Sequence, residues 1–133
     1  MTQEDKMLLI KDLSSRLPYA VHVQHISGVS GILHDISIYH KYDENDNIYD
    51  AICYTDFLGD ENSITIEHFK PYLFPLSSMT EEQEKEYNNL NCYELGCFPH
   101  SEEALDYLTK NHFDYRHLID KNLAIDATGL NIY

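Results

Sequence analysis

The sequence predicts an α+β protein built around a small SH3-like curled sheet or barrel of four to five short strands. Three observations lead to this fold class. An amphipathic helical pattern opens the chain, short alternating strand patterns fill its middle, and helix-capping patterns follow. With 133 residues, the chain is expected to form one domain, with a helix over 1–17, a β region over 18–76 and two or three short helices within 77–133.

The first predicted element is a helix that begins after Thr2, because threonine caps helices through its hydroxyl group. Apolar residues then recur at helical spacing, and four charged residues between them are expected to face solvent. The apolar positions are Met7, Leu9, Ile10, Leu13 and Leu17, and the charged positions are Asp5, Lys6, Lys11 and Asp12. Pro18 is expected to end the helix, because the residue before a proline avoids helical backbone angles.

The β region is predicted from short segments in which apolar and polar residues alternate. The predicted strands cover 19–24, 32–40, 48–55, 64–66 and 72–76, and the predicted turns cover 27–31, 43–47 and 59–62. Asp43, Asn45 and Asn47 have the spacing that opens a calcium-binding loop. Ile48 stands where that loop needs glycine and Tyr54 where it needs glutamate, so a hairpin turn is expected instead.

The densest apolar and aromatic run in the chain covers residues 69–80. Pro71 and Pro75 fix their own φ angles near about −65° and favour an extended backbone. The run is therefore expected to be an extended strap or edge strand that links the strand-rich and helix-rich halves. An edge strand at 72–76 is also compatible with a homodimer that pairs across a two-fold axis.

Capping patterns predict the helices that follow this run. Thr80 and Gln83 form a capping box at the start of an exposed helix over 80–90. Ser101 is expected to cap a second helix, and Asp114 a third, short one. The C-terminal region is therefore expected to be mainly helical, with a short extended return to the core over 123–125.

The charge balance is strongly acidic, with 23 aspartates and glutamates against 9 lysines and arginines and a formal net charge of −14. Nucleic acids and anionic membranes both attract basic surfaces, so direct binding to either is not expected. The same charge favours a basic protein partner, or imitation of nucleic acid by carboxylates. The simplest alternative is an acidic surface that only keeps the protein in solution.

The three cysteines are odd in number, and the first residues lack the basic and apolar regions of a signal peptide. The protein is therefore expected to be cytoplasmic, with reduced thiols. The sequence contains no P-loop, dinucleotide fingerprint or nucleophile elbow, so no cofactor is expected and no catalytic residue is assigned.

One group of residues resembles part of a metal site. Cys92, Cys97 and His100 supply thiolate and imidazole groups within nine residues, but zinc normally binds two tight ligand pairs. His112 or His117 would have to provide the fourth ligand. A small metal-binding protein or metal-assisted enzyme is therefore the alternative function, and a structural loop with unrelated thiols is the simpler interpretation.

Three stretches carry a resemblance to known proteins: MTQEDK through Leu17-Pro18-Tyr19, PYLFPLSSMTEE at 71–82 and NHFDYRHLIDKNLA at 111–124. Together they resemble an uncharacterised family of small acidic proteins common in Bacteroides-type gut bacteria and their mobile elements. The resemblance implies a bacterial or phage protein of the cytoplasm. It carries over no catalytic residue.

The sequence as a whole favours a non-enzymatic protein-interaction module. Eleven tyrosines and no tryptophan suggest rings at the edge of the core or in an interface. A more specific version of this hypothesis is an inhibitor of a host nucleic-acid-binding protein. The carboxylates at 43–50, 56–61 and 81–86 are the candidates for imitating the phosphates of a nucleic acid. The candidate binding residues are Tyr39, Tyr42, Tyr49, Tyr72 and Phe74. A weaker alternative is a small-molecule binder with its pocket between the barrel and the helix that begins at Glu102.

Overall fold

A computed structural model describes residues 1–46, 48–54, 66–91 and 101–133, and gives only the backbone for 37–41, 48–54 and 91. Its elements in chain order are α1 (Gln3–Arg16), β1 (His22–His25), β2 (Ser30–Ile32), β3 (Ser37–Tyr42), β4 (Ile48–Tyr54), β5 (Phe69–Pro75), α2 (Glu81–Asn91), α3 (Glu102–Lys110), β6 (Phe113–Asp114) and β7 (Ile125–Asp126). This order confirms the predicted α+β class. The chain divides into two compact units, Met1–Pro71 and Tyr72–Tyr133, and the expected single domain stays a prediction.

Helix α1 of the first unit begins and ends where its local sequence predicts. The Thr2 hydroxyl accepts a hydrogen bond from the Asp5 N–H at 3.1 Å, which satisfies one of the amide groups left open at a helix start. The helix ends at Arg16, and Pro18 lies in the 3-10 turn that follows. No helix in the described part of the chain is both long and apolar enough to cross a membrane.

The buried face of α1 differs from the predicted one at two positions. Leu9, Ile10 and Leu13 are buried as expected, but Met7 is 44% exposed. Asp12, which was expected to face solvent, is fully buried together with Arg16. Helical spacing placed Asp12 outside the apolar stripe, but its ion pair with Arg16 allows the carboxylate to be buried.

Strands β1 and β2 form an antiparallel hairpin, with Val23 opposite Gly31. The turn between them is closed by a hydrogen bond from the Gly28 N–H to the His25 carbonyl oxygen at 2.8 Å. Gly28 has φ of 90°, an angle that a residue without a Cβ adopts readily. The predicted strand over 32–40 is divided in the structure, because β2 ends at Ile32 and β3 begins at Ser37.

Strands β3 and β4 form a separate two-stranded antiparallel sheet. The predicted hairpin turn is confirmed for its described residues, 43–46. The Asp43 carboxylate accepts a hydrogen bond from the Asn45 N–H at 2.9 Å, as in an Asx turn. The register shifts next to this turn, between Lys41 and Tyr42. Lys41 pairs with Asp50 and Tyr42 with Ile48, so the irregularity has the form of a β-bulge.

Strand β5 confirms the extended backbone predicted within 69–80, but it is not an edge strand. Residues 69–71 pair antiparallel with β1 in the first unit. In the second unit, β5 pairs parallel with both β6 and β7. The Phe74 N–H donates to the His112 carbonyl, whereas the Leu73 carbonyl accepts from the Ala127 N–H. Adjacent residues of a strand direct these groups to opposite edges, so both edges of β5 are occupied here.

In the first unit the strand order is β2-β1-β5, and in the second unit β6 and β7 both pair with β5. In the described ranges no strand pairing closes these strands, so the expected closure into an SH3-like barrel is not found. Strand β6 comes from the region predicted to be helical, whereas β7 begins at Ile125, the last residue of the predicted extended return to the core. They arise because short extended segments after α3 return to β5 and satisfy its backbone groups.

The second unit has its own core between α2, α3 and β6. The buried residues of this core are Tyr87, Ala104, Leu108, Phe113 and Tyr115. The predicted capping box is confirmed: the Gln83 N–H donates to the Thr80 hydroxyl at 3.2 Å, and the Thr80 N–H donates to the Gln83 side chain at 2.9 Å. Ser101 caps α3 through the Ala104 N–H.

Asp114 caps the next segment, although that segment is a series of turns rather than the predicted short helix. One carboxylate oxygen accepts from the Leu118 N–H and the other from the Ile119 N–H, both at 2.9 Å. The buried Leu118 side chain anchors these turns.

Candidate functional site

The predicted binding tyrosines of the first unit lie in the β3–β4 hairpin. Tyr42 is 56% exposed at the last position of β3, beside the bulge. Tyr39 pairs with Ile52 through the backbone, and Tyr49 lies in β4. The side chains of Tyr39 and Tyr49 lie outside the described part of the structure, so their role in binding stays a prediction.

The two predicted binding aromatics of β5 lie within the second unit and are less exposed. Tyr72 is only 6% exposed, and its carbonyl oxygen accepts a hydrogen bond from the Tyr133 hydroxyl at 2.8 Å. Phe74 is half-buried, and its ring centroid lies 6.2 Å from that of Phe113. These environments are typical of packing side chains, and the proposed binding role of both residues stays a prediction.

The predicted metal ligands Cys92, Cys97 and His100 lie outside the described residues. The two candidates for a fourth ligand are described: His112 is buried and stacks on Tyr133, whereas His117 is exposed and its Nδ1 lies 3.7 Å from the Asp120 carboxylate. In the ranges that the structure describes, no three histidine, cysteine or acidic side chains form a group that could hold a metal ion.

The strongest concentration of charge in the described second unit lies on α2 and α3. Helix α2 contains four glutamates and one lysine, and α3 contains three acidic side chains and one lysine. The acidic positions are Glu81, Glu82, Glu84, Glu86, Glu102, Glu103 and Asp106, and all except the half-buried Glu84 are exposed. We call α2 and α3, with these seven side chains, the acidic helix pair.

Tyr107 connects the two helices of this pair. Its hydroxyl donates to the Glu86 carboxylate at 3.0 Å, and its ring centroid lies 6.4 Å from that of the buried Tyr87. Glu103 precedes Tyr107 by four residues, and this spacing places the two residues on the same side of α3. The negative charges of Glu82 and Glu86 therefore act on one phenol group, and Glu103 adds a carboxylate on the same side of α3.

The titration of Tyr107 reflects this environment. Its pKa is raised from 10.0 to about 12, first by burial, then by the hydrogen bond to Glu86 and by the negative charges of Glu86 and Glu82. Each of these causes disfavours a phenolate ion. The charges of the two glutamates thus act together at one place on the protein.

The sequence indicated only part of the acidic helix pair. The carboxylates at 81–86 were candidates, and the described structure places them on α2; those at 43–46 are exposed in the hairpin turn, and those at 56–61 lie outside the described residues. The contribution of α3 was missed. The spacing of Glu102, Glu103 and Asp106 opposite the apolar Ala104 and Leu108 was the available signal.

Comparisons with known proteins identify no relative of this chain: no family model, no curated protein and no solved structure matches it.

Proposed function

We propose that this protein is a non-enzymatic protein-interaction module of bacterial, phage or mobile-element origin that binds a basic protein in the cytoplasm. In its sharper form, the proposal is that the protein inhibits a host nucleic-acid-binding protein by occupying its phosphate-binding surface. The origin rests on the resemblance of three sequence stretches, and the location rests on the odd number of cysteines. A homodimer is compatible with the proposal, but it would need a surface other than the paired part of β5.

The observation that carries the proposal is the contact of Glu86 and the charge of Glu82 at Tyr107, which lies within the acidic helix pair together with the exposed Glu103. Exposed carboxylates on two packed helices present fixed negative charges at the surface, and such charges attract a basic partner before contact is made. The raised pKa of Tyr107 supports the presence of a locally negative field. A surface of this kind favours lysine- and arginine-rich sites that normally bind phosphate.

The exposed Tyr42 is a second feature that supports an interaction role. Tyrosine combines a large apolar ring with a polar hydroxyl, and it is enriched in protein interfaces. Its position at the end of a two-stranded hairpin leaves more than half of the side chain in contact with solvent. It offers an uncharged contact on the first unit.

The proposal can be tested by affinity capture from bacterial lysate, with and without nuclease, followed by mass spectrometry. We expect one dominant partner that stays bound after nuclease treatment and is released at high salt. Added DNA should compete with this protein for binding to the partner. The double variant E82Q/E103Q should weaken binding of that purified partner. The control E4Q/D120N removes two exposed carboxylates outside the acidic helix pair and should bind as the wild type does.

Two results would reject the proposal. One is an empty capture with a well-folded protein, and the other is equal weakening by the two double variants. Equal weakening would show that only net charge matters, as for a surface that merely keeps the protein in solution. Metal analysis of protein purified without a histidine tag tests the alternative function, because a tight site would retain close to one equivalent of zinc.

A further inference from the structure

The second unit contains an open pocket that the interaction proposal does not use. Its volume is about 360 Å³, which lies within the range of small-molecule sites. Its ten lining residues come from β5, the start of α2, the end of α3, β6 and the last turn of the chain. They include Phe74, Gln83, Lys110, His112, Thr128 and Tyr133.

The side chains that line this pocket differ in charge from those of the chain as a whole. None of the ten lining residues is an aspartate or glutamate, although acidic residues outnumber basic ones by 23 to 9 in the full sequence. Lys110 is the cationic side chain among these lining residues. An anion that approaches Lys110 therefore meets no aspartate or glutamate side chain among them.

The aromatic wall of the pocket is held in place by backbone and side-chain contacts. The rings of His112 and Tyr133 are stacked, with centroids 3.7 Å apart and planes inclined by 11°. The Tyr133 ring also lies 5.8 Å from Phe74, and its hydroxyl donates to the Tyr72 carbonyl. These contacts fix the rings of Tyr133 and Phe74 in a pocket that Lys110 also lines.

Polar groups of the lining can complete the recognition of an anion. The side-chain oxygen of Gln83 accepts from the Thr80 N–H, so its amide NH₂ group is the part that can donate to a ligand. Thr128 adds a hydroxyl group at the exposed end of the pocket. Lys110 would repel an ammonium group, which argues against the use of this aromatic wall to bind a cation.

We propose that this pocket binds a small planar aromatic carboxylate. The aromatic ring packs against the Phe74 and Tyr133 rings, and the carboxylate lies near the Lys110 ammonium group, with Gln83 and Thr128 as further donors. This site uses Gln83 and Lys110 of α2 and α3, but none of the seven acidic side chains of the acidic helix pair. The tests of the two proposals therefore change different side chains, and failure of either proposal leaves the other standing.

The test is a titration of ¹⁵N-labelled protein, followed by two-dimensional NMR, with benzoate, benzamide and cyclohexanecarboxylate as separate probes. Benzoate should cause saturable shifts in the amide signals of Lys110, His112, Phe113 and Gly129. Benzamide lacks the negative charge and cyclohexanecarboxylate lacks the flat ring, so each should bind more weakly than benzoate.

A pair of lysine variants then tests the role assigned to Lys110. K110Q should weaken benzoate binding about three- to fivefold, the effect expected for loss of an exposed ion pair, and should leave benzamide binding unchanged. K85Q removes the same charge from an exposed position on α2 outside the pocket lining, and it should leave benzoate binding unchanged. The absence of saturable shifts, equal affinity for benzoate and benzamide, or equal effects of the two variants would overturn the proposal.

Discussion

Asp12 and Arg16 form an ion pair inside α1 with both side chains fully buried. The guanidinium group donates to both carboxylate oxygens, from Nε to Oδ2 at 2.8 Å and from Nη2 to Oδ1 at 3.1 Å. This two-point geometry is the strongest form of the arginine–carboxylate interaction. It brings two opposite charges into the core of the first unit one helical turn apart, beside Leu9 and Leu13.

The first prediction concerns the removal of one partner from this pair. Asp12→Ala should lower the free energy of unfolding by about 3 to 5 kcal/mol, because it leaves the arginine charge buried without its carboxylate. The double variant D12L/R16M should lose much less, since apolar side chains of similar size can replace a buried pair. Urea denaturation of the two variants provides the measurement. A loss below about 1 kcal/mol for Asp12→Ala would contradict the burial of the pair.

The second prediction concerns the phenol group of Tyr107. In the folded protein its pKa is about 12, whereas an unperturbed tyrosine has a value of 10.0. The folded state therefore holds this proton more tightly than the unfolded state, so its contribution to stability is complete below pH 10 and is lost as the pH rises toward 12.

NMR titration of the tyrosine Cζ carbons can detect this group. The titration step near pH 12 should disappear in Y107F and persist in Y42F. In E86Q it should move toward pH 10, because the negative charge beside the phenol is lost and the acceptor becomes a neutral amide. An unchanged step in E86Q would show that burial and the charge of Glu82 raise the pKa of Tyr107 without Glu86.

The third prediction concerns His22 in β1. Burial lowers its pKa below the ordinary value of 6.5, so the unfolded state binds a proton at a pH where the folded state does not. The free energy of unfolding should therefore fall as the pH decreases below about 6.5. H22Q should reduce this fall, and H34Q, a change at an exposed position, should retain it. Equal pH profiles for wild type and H22Q would disprove this contribution.

The fourth prediction separates surface aromatics from core aromatics. Tyr42→Ala should change the free energy of unfolding by less than about 1 kcal/mol, because the side chain is mainly exposed. Tyr115→Ala should cost about 3 kcal/mol or more, because this ring belongs to the core of the second unit. If Tyr42 contacts the partner, Y42A should also weaken capture while the protein remains folded. A large loss of stability in Y42A would instead assign the ring to the core.

Much of the local structure could be predicted because its causes lie within a few residues. The Thr80–Gln83 capping box and the Thr2 cap each join groups three residues apart, and the Asx turn at Asp43 joins groups two residues apart. Such interactions form whenever the chain takes the local conformation. The acidic surface of α2 could be predicted for the same reason, because several glutamates close together after a helix cap are expected to stay in contact with solvent.

Other features depended on residues that are distant in sequence. An apolar run with two prolines is compatible with either an edge or a central strand, and only pairing with β6 and β7 made β5 central within the second unit. Helical spacing indicated that Asp12 faces solvent, but the packing of α1 placed both Asp12 and its ion-pair partner Arg16 in the core. The position of Tyr107 beside Glu86, and the pocket next to Lys110, likewise required α2, α3 and the chain's last turn to come together. Local hydrogen bonds specify where elements begin and end, whereas burial and charge at a site depend on which distant surfaces pack there.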